Sequence, residues 1–153
     1  MLPLPTHHGF GWAIKAAIES GLVQTRQMLV VQHDRCFMRS INLLRAVQCM
    51  RADERVKYLL LPTRSTHNHA MTFRGRYGVQ LPTIDVCGVR LLQLGFWWDS
   101  THLATVDHYR DFVLAQPCVR CGVFPEDTLG KQMRDAVKAG GVDAVAPLSL
   151  IHI

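Results

Sequence analysis

Apolar residues recur at helical spacing at Ile14, Ala17, Ile18 and Leu22, with Gly21 as a C-terminal stop, so an amphipathic helix is expected over Gly11 to Ser20. It leads into Met28-Leu29-Val30-Val31, a run too short for a free-standing helix and β-branched at its end. That is the pattern of a strand covered on both faces. The run stops on Gln32-His33-Asp34-Arg35. A buried parallel strand ending this way delivers a carboxylate to the carboxyl edge of a sheet, where open α/β folds bind their ligands. Ser40 is the expected cap of a second helix, with Leu43, Leu44, Val47 and Met50 on one face and the polar break Arg51 to Arg55 behind it. Val56 to Leu61, stopped by Pro62, reads as a second short strand. Strand, helix and strand with tight connections predict a right-handed βαβ unit.

The periodicity then lapses from Thr63 to Pro82, where Arg64, His67, His69, Arg74 and Arg76 sit among small polar residues. A long loop or loosely helical excursion is expected, and its arginines suit a diphosphate. His67-Asn68-His69 spells HNH but lacks the ββα-metal context of a nuclease. Thr83 to Trp98 contains two apolar pieces joined at Gly88 and reads as extended structure. Trp97 and Trp98 are either core or an apolar platform beside a polar site. A helix capped by Ser100 or Thr101 is expected from His102 to Leu114, burying Val106, Tyr109 and Val113. Val119 to Phe124 is the last short strand expected. Pro125-Glu126-Asp127 opens a helix with the apolar face Leu129, Met133, Ala136 and Val137, closed by Gly140-Gly141.

Composition narrows the class without choosing a function. The 153 residues are 48% hydrophobic and 19% charged, enough to bury roughly 70% of the unfolded surface in a single core. No apolar run approaches a membrane span and the N-terminus lacks the features of a signal peptide, so a cytoplasmic location is expected. The net charge of +5 favours an anionic partner, but the arginines are scattered. Five cysteines, an odd number, argue against a disulfide framework. Cys118-Val119-Arg120-Cys121 has CxxC spacing, yet a structural zinc site needs two more ligands, so reduced, partly buried thiols are expected.

The last six residues, Leu148-Ser149-Leu150-Ile151-His152-Ile153, match the in-frame translation of a transposase adapter used to build sequencing libraries. They are set aside from fold reasoning as one sets aside a fusion scar. The domain is expected to span residues 1–147, with the natural chain continuing beyond about Pro147.

An amphipathic helix feeding a strand that ends in a carboxylate, an aromatic-rich extended segment, and Phe124-Pro125-Glu126-Asp127-Thr128-Leu129-Gly130 opening a helix together resemble the catalytic half of a GT-A type nucleotide-sugar glycosyltransferase. The resemblance covers roughly Gly9 to Ala139. It implies a partial Rossmann-like GT-A fold, a three-layer α/β/α arrangement around a sheet of mostly parallel strands. It also implies transfer of a sugar from a nucleotide-diphosphate donor to an acceptor hydroxyl, by inversion, in a hexosyltransferase-like parent. In such enzymes an Asp-x-Asp motif holds a divalent cation, Mn or Mg, and the donor diphosphate. Gln32-His33-Asp34 stands in its place here, with Asp34 the metal-side carboxylate. The resemblance makes Asp127 the base and Glu126 a neighbour that orients it or binds acceptor hydroxyls, and places Trp97, Trp98 and Asp99 on the acceptor side. Gln32 replaces the first acidic residue of the motif, which removes one metal carboxylate. Little of the chain precedes the first helix, so the sequence reads as a gene fragment, inactive as it stands.

The chemistry calls for these residue types. Charge developing on the leaving diphosphate is neutralised by a cation held on hard carboxylate oxygens. The acceptor hydroxyl must lose its proton as it attacks, which calls for a carboxylate on the opposite face of the sugar. The alternative from another class is a non-catalytic basic α/β binding domain whose arginine-rich loop contacts phosphate or nucleic acid. The glycosyltransferase reading expects no nucleic-acid partner and no membrane span in this chain.

Overall fold

The computed structural model describes residues 9–152, apart from 36, 38, 65 and 146–149, and the backbone alone of 150–152. The chain runs α1 (Phe10–Glu19), β1 (Gln27–Val30), α2 (Leu43–Ala52), β2 (Tyr58–Leu60), α3 (His69–Tyr77), β3 (Thr83–Val86), β4 (Val89–Gln93) and β5 (His102–Thr105). A short α4 (Val106–His108) passes into a π-helical turn, Tyr109–Val113. A second π-helical turn, Glu126–Gly130, opens α5 (Lys131–Gly140), and a 3-10 turn, Val142–Val145, precedes β6 (Leu150–His152).

The six described strands form one sheet in the order β1-β5-β2-β6-β4-β3. Four of its five pairings are antiparallel, and only β2 and β6 run parallel. This overturns the expected three-layer, mostly parallel Rossmann-like GT-A sheet. The reason lies in His102 to Thr105, expected as the start of a helix. These residues extend instead and insert between β1 and β2, pairing antiparallel with both. The βαβ unit expected from β1, α2 and β2 is therefore no adjacent parallel pair. Its two strands flank β5.

Strand alternation sorts the core into two unequal parts. Tyr58, Leu60, Leu92 and Ala104 point to one face, where Phe73 of α3, Tyr109, Val113 and then Met133 and Val137 of α5 pack. Leu59, Leu91 and Leu103 point to the other, which α2 covers with Cys49 and Met50. The two-residue period of a strand dictates this division.

Several local readings change in the structure. β1 lies at an edge of the sheet, with Leu29 and Val31 exposed, so it is not covered on both faces. Asn42, not Ser40, caps α2, accepting a hydrogen bond from Arg45 N at 3.0 Å. Leu44 is 69% exposed and lies off the core face of α2. Thr63 to Pro82, expected as a long loop or a loosely helical excursion, contains α3, whereas the strand expected over Val119 to Phe124 consists of turns and irregular backbone. The backbone of Leu150–His152, set aside as an adapter-derived tail, takes a place in the sheet between β2 and β4. Leu148, Ser149 and Ile153 of that tail, and Cys36, lie outside the described residues. No helix among the described residues is long and apolar enough to cross a membrane.

Candidate functional site

The register brings three segments to one edge of the sheet. Val30 at the end of β1 and Leu60 at the end of β2 both pair with His102 at the start of β5, and Leu61 N donates to Thr101 O at 3.0 Å. The carboxyl ends of β1 and β2 therefore meet the residues entering β5. Gln32 to Arg35 leave from this edge, as does the connection to α3. Trp97 to Ser100 arrive at it.

Glu126 is fastened to the same place by a reciprocal pair of hydrogen bonds. Asp99 N donates to Glu126 Oε2 at 3.0 Å, and Glu126 N donates to Asp99 Oδ2 at 3.0 Å. The other oxygen, Asp99 Oδ1, accepts from the Trp97 indole Nε1 at 2.9 Å. Asp99 thereby satisfies an otherwise orphan amide where the helical segment begins. Asp99 is buried, while Glu126 is half-buried. Burial pushes the Asp99 carboxyl up to about 7. The Glu126 amide and Trp97 indole pull against that shift, and the charges of Glu126 and Asp127 add to it. Burial also raises Glu126; the Asp99 amide opposes the rise, Asp127 adds to it, and the Arg35 guanidinium opposes it. Asp99 is thus poised to hold a proton near neutrality.

Gly130 lets this segment approach so closely. A Cβ there would lie 2.7 Å from Trp97 O and 2.9 Å from Phe96 Cζ. Its backbone is helical, with φ of −59°, so alanine would gain roughly 1 kcal/mol of helix propensity. The obstacle is a backbone oxygen that cannot turn aside. Gly130→Ala is therefore expected to lose about 1–3 kcal/mol net in chemical denaturation; a gain in stability would contradict the close approach.

Behind Asp99 stand Tyr58, Trp97, His102 and Tyr109, all fully buried. Tyr58 packs its ring 4.3 Å from that of Trp97 and 4.5 Å from that of His102, and its hydroxyl donates to Trp98 O. His102 Nδ1 lies 2.6 Å from Ser100 O, so that nitrogen carries the proton and donates. Burial lowers the His102 pKa to about 4, opposed by the Ser100 carbonyl. His69, at the start of α3, is also buried, with its pKa lowered to about 4 for the same reason. The Trp98 indole approaches its Nδ1 and Gly95 N its Nε2, each at 3.3 Å. A neutral imidazole has one acceptor nitrogen, so one approach is a hydrogen bond and the other a close polar contact.

The structure treats the sequence-predicted site residues unequally. Gln32 is half-buried, and His33 and Asp34 are exposed on a turn closed by Arg35 N donating to Gln32 O at 3.2 Å. Asp127 is exposed and pairs with Lys131 Nζ at 3.2 Å. Trp98 is half-buried, packed on His69 and Phe96. Trp97 is wholly buried, which removes it as a wall for an acceptor. Asp99 likewise faces no acceptor, because both its oxygens are committed to Trp97 and Glu126. Sequence reasoning passed over Arg35 and His69 as parts of this region. Arg35 was detectable only as the residue after Asp34; nothing local to His69 marks its place under Trp98.

Among the described residues no three of His, Cys, Asp and Glu gather as a cation site. Asp34 is the one carboxylate on the β1 turn, with Gln32 and His33 as neutral neighbours. His67 Nδ1 is engaged with Arg64 O at 2.7 Å and His69 is buried, so the HNH letters form no site. Of the CxxC pair, Cys118 Sγ donates to Gln132 Oε1 at 3.4 Å. No protein-family model, no curated protein and no solved structure matches the chain.

Proposed function

We propose that this chain carries the reacting edge of a transferase that moves a sugar from a nucleotide-diphosphate donor to an acceptor hydroxyl. The reading rests on side-chain chemistry and not on a Rossmann-like fold, which the sheet does not have. The observation that carries it is the double hydrogen bond between Asp99 and Glu126. That clasp fixes the Glu126-Asp127 pair at the edge from which Asp34 and Arg35 emerge.

In this reading Asp127, exposed at the helix start, takes the proton of the acceptor hydroxyl as its oxygen attacks the anomeric carbon. The bond from that carbon to the diphosphate oxygen breaks, its electron pair leaves on the diphosphate, and the configuration inverts. Glu126 holds the backbone that aims Asp127. The half-exposed face of Trp98 offers apolar surface for a sugar. Asp34, with Gln32 and His33 beside it, would hold a divalent cation shared with the diphosphate, and that cation would neutralise the leaving group. The Arg35 guanidinium supplies positive charge at the same turn.

The test is calorimetric binding of a nucleoside diphosphate with manganese present. Asp34→Asn is expected to weaken it about tenfold, since a hard cation loses its protein carboxylate, whereas Asp127→Asn leaves it unchanged. Equal affinity in the wild type and Asp34→Asn would remove Asp34 from the donor side. Binding of a polyanion that collapses with salt, without preference for the nucleotide, would favour the basic binding domain instead.

A further inference from the structure

Away from this edge, the tip of the β3–β4 hairpin meets α2. The two-residue turn is Cys87-Gly88, and both residues have positive φ, 52° and 69°, as the tight turn that matches strand twist requires. Glycine or asparagine is the usual solution at such positions; cysteine is the only described non-glycine residue with positive φ. A strained backbone at a reactive side chain is a pointer to function.

The surroundings fit that pointer. Cys49 of α2 is fully buried beneath the turn, its Sγ 3.3 Å from the carbonyl oxygen of Val86, the residue next to Cys87. Arg45, one helical turn earlier, donates from Nη2 to Cys87 O at 2.8 Å. Its charge opposes the rise that burial and Cys87 impose on the Cys49 thiol. A small cavity of about 140 Å³, lined among others by Arg45, Cys49, Leu59 and Leu91, lies beside Cys49.

We propose that Cys87 and Cys49 form a reversible oxidation-sensitive pair whose disulfide straps the β3–β4 hairpin to α2. The exposed Cys87 thiolate attacks a hydroperoxide. An S–O bond forms as the O–O bond breaks, giving a sulfenic acid and releasing water or an alcohol. The Cys49 thiol then attacks the Cys87 sulfur; the S–S bond forms and the sulfenic oxygen leaves as water, taking the thiol proton. Two thiols are oxidised by two electrons and the peroxide is reduced by two. Reduction by a small thiol restores both cysteines.

Hydrogen peroxide treatment of the whole chain, alkylation of remaining thiols and tryptic mass spectrometry test this directly. Trypsin releases Cys49 in residues 46–51 and Cys87 in residues 77–90, so the bond appears as a cross-linked peptide. It is expected in the wild type and in a Cys118→Ser/Cys121→Ser variant, to vanish with reductant, and to be lost in Cys87→Ser. Closing a loop of this length is expected to raise Tm by about 10 °C. Irreversible oxidation of Cys87 with Cys49 still alkylated, or a bond confined to Cys118 and Cys121, would overturn the pairing. A bond formed without a rise in Tm would overturn the strap.

Discussion

Asp99→Ala is expected to destabilise the fold by about 3 kcal/mol, read as a fall of about 10 °C in Tm. The substitution leaves two donors without their acceptor, the Glu126 amide and the wholly buried Trp97 indole. Each such loss costs roughly 1–3 kcal/mol, and a chain of this length shifts by about 2–4 °C per kcal/mol. Removing a carboxyl that resists ionisation gives some of this back at higher pH, so the full loss belongs at about pH 4, where Asp99 is neutral in the folded chain and largely so in the unfolded one. Asp99→Asn keeps one acceptor oxygen and should lose less. A change within about 0.5 kcal/mol for Asp99→Ala at about pH 4 would mean that the clasp does not hold the Glu126 segment in place.

The pH dependence of stability gives the second large effect. Asp99 has a folded pKa of about 7 against an ordinary 3.8. The folded state therefore holds its proton where the unfolded state has released it. The associated stability is present below about pH 4 and is lost as pH rises toward 7, a change on the order of several kcal/mol. Glu126, also raised, acts in the same direction. His69 and His102 act oppositely. Both have folded pKa values of about 4 against 6.5, so their stability is present above 6.5 and is lost as pH falls toward 4. The wild type should consequently show a muted slope across this window. Relative to it, Asp99→Asn should gain stability steadily from pH 4 to pH 7 in urea titrations. Parallel curves for the two proteins would mean that Asp99 titrates as an ordinary carboxyl.

Parts of the fold are legible from local pattern because one physical signal governs each. Helix α1 follows from the spacing of Ile14 and Ile18, the extended character of β3 and β4 from two apolar runs flanking Gly88, and α5 from Leu129, Met133 and Val137 closed by Gly141. Strand β5 is not, because Ser100 and Thr101 look like helix caps and Val106, Tyr109 and Val113 extend a helical period behind them. Only pairing with β1 and β2, decided far away in sequence, makes His102 to Thr105 extend. That single reassignment turns the expected parallel sheet largely antiparallel.

The site divides along the same line. Glu126 and Asp127 announce a helix start, but nothing near them shows that Asp99 accepts the Glu126 amide. Adjacent tryptophans likewise read alike in sequence. Trp97 is wholly buried, whereas Trp98 stays partly exposed against His69. The role of Asp99 is a tertiary fact with no local signature.

The most direct test of the proposed reacting edge is an amide and indole NMR titration of the chain with a nucleoside diphosphate and magnesium. The account predicts saturable shifts centred on His33, Asp34 and Arg35, reaching Asp99, Glu126 and the Trp98 indole, and weakened about tenfold by Asp34→Asn. Shifts confined to the arginines of α3, Arg74 and Arg76, or no shifts at millimolar ligand, would contradict it.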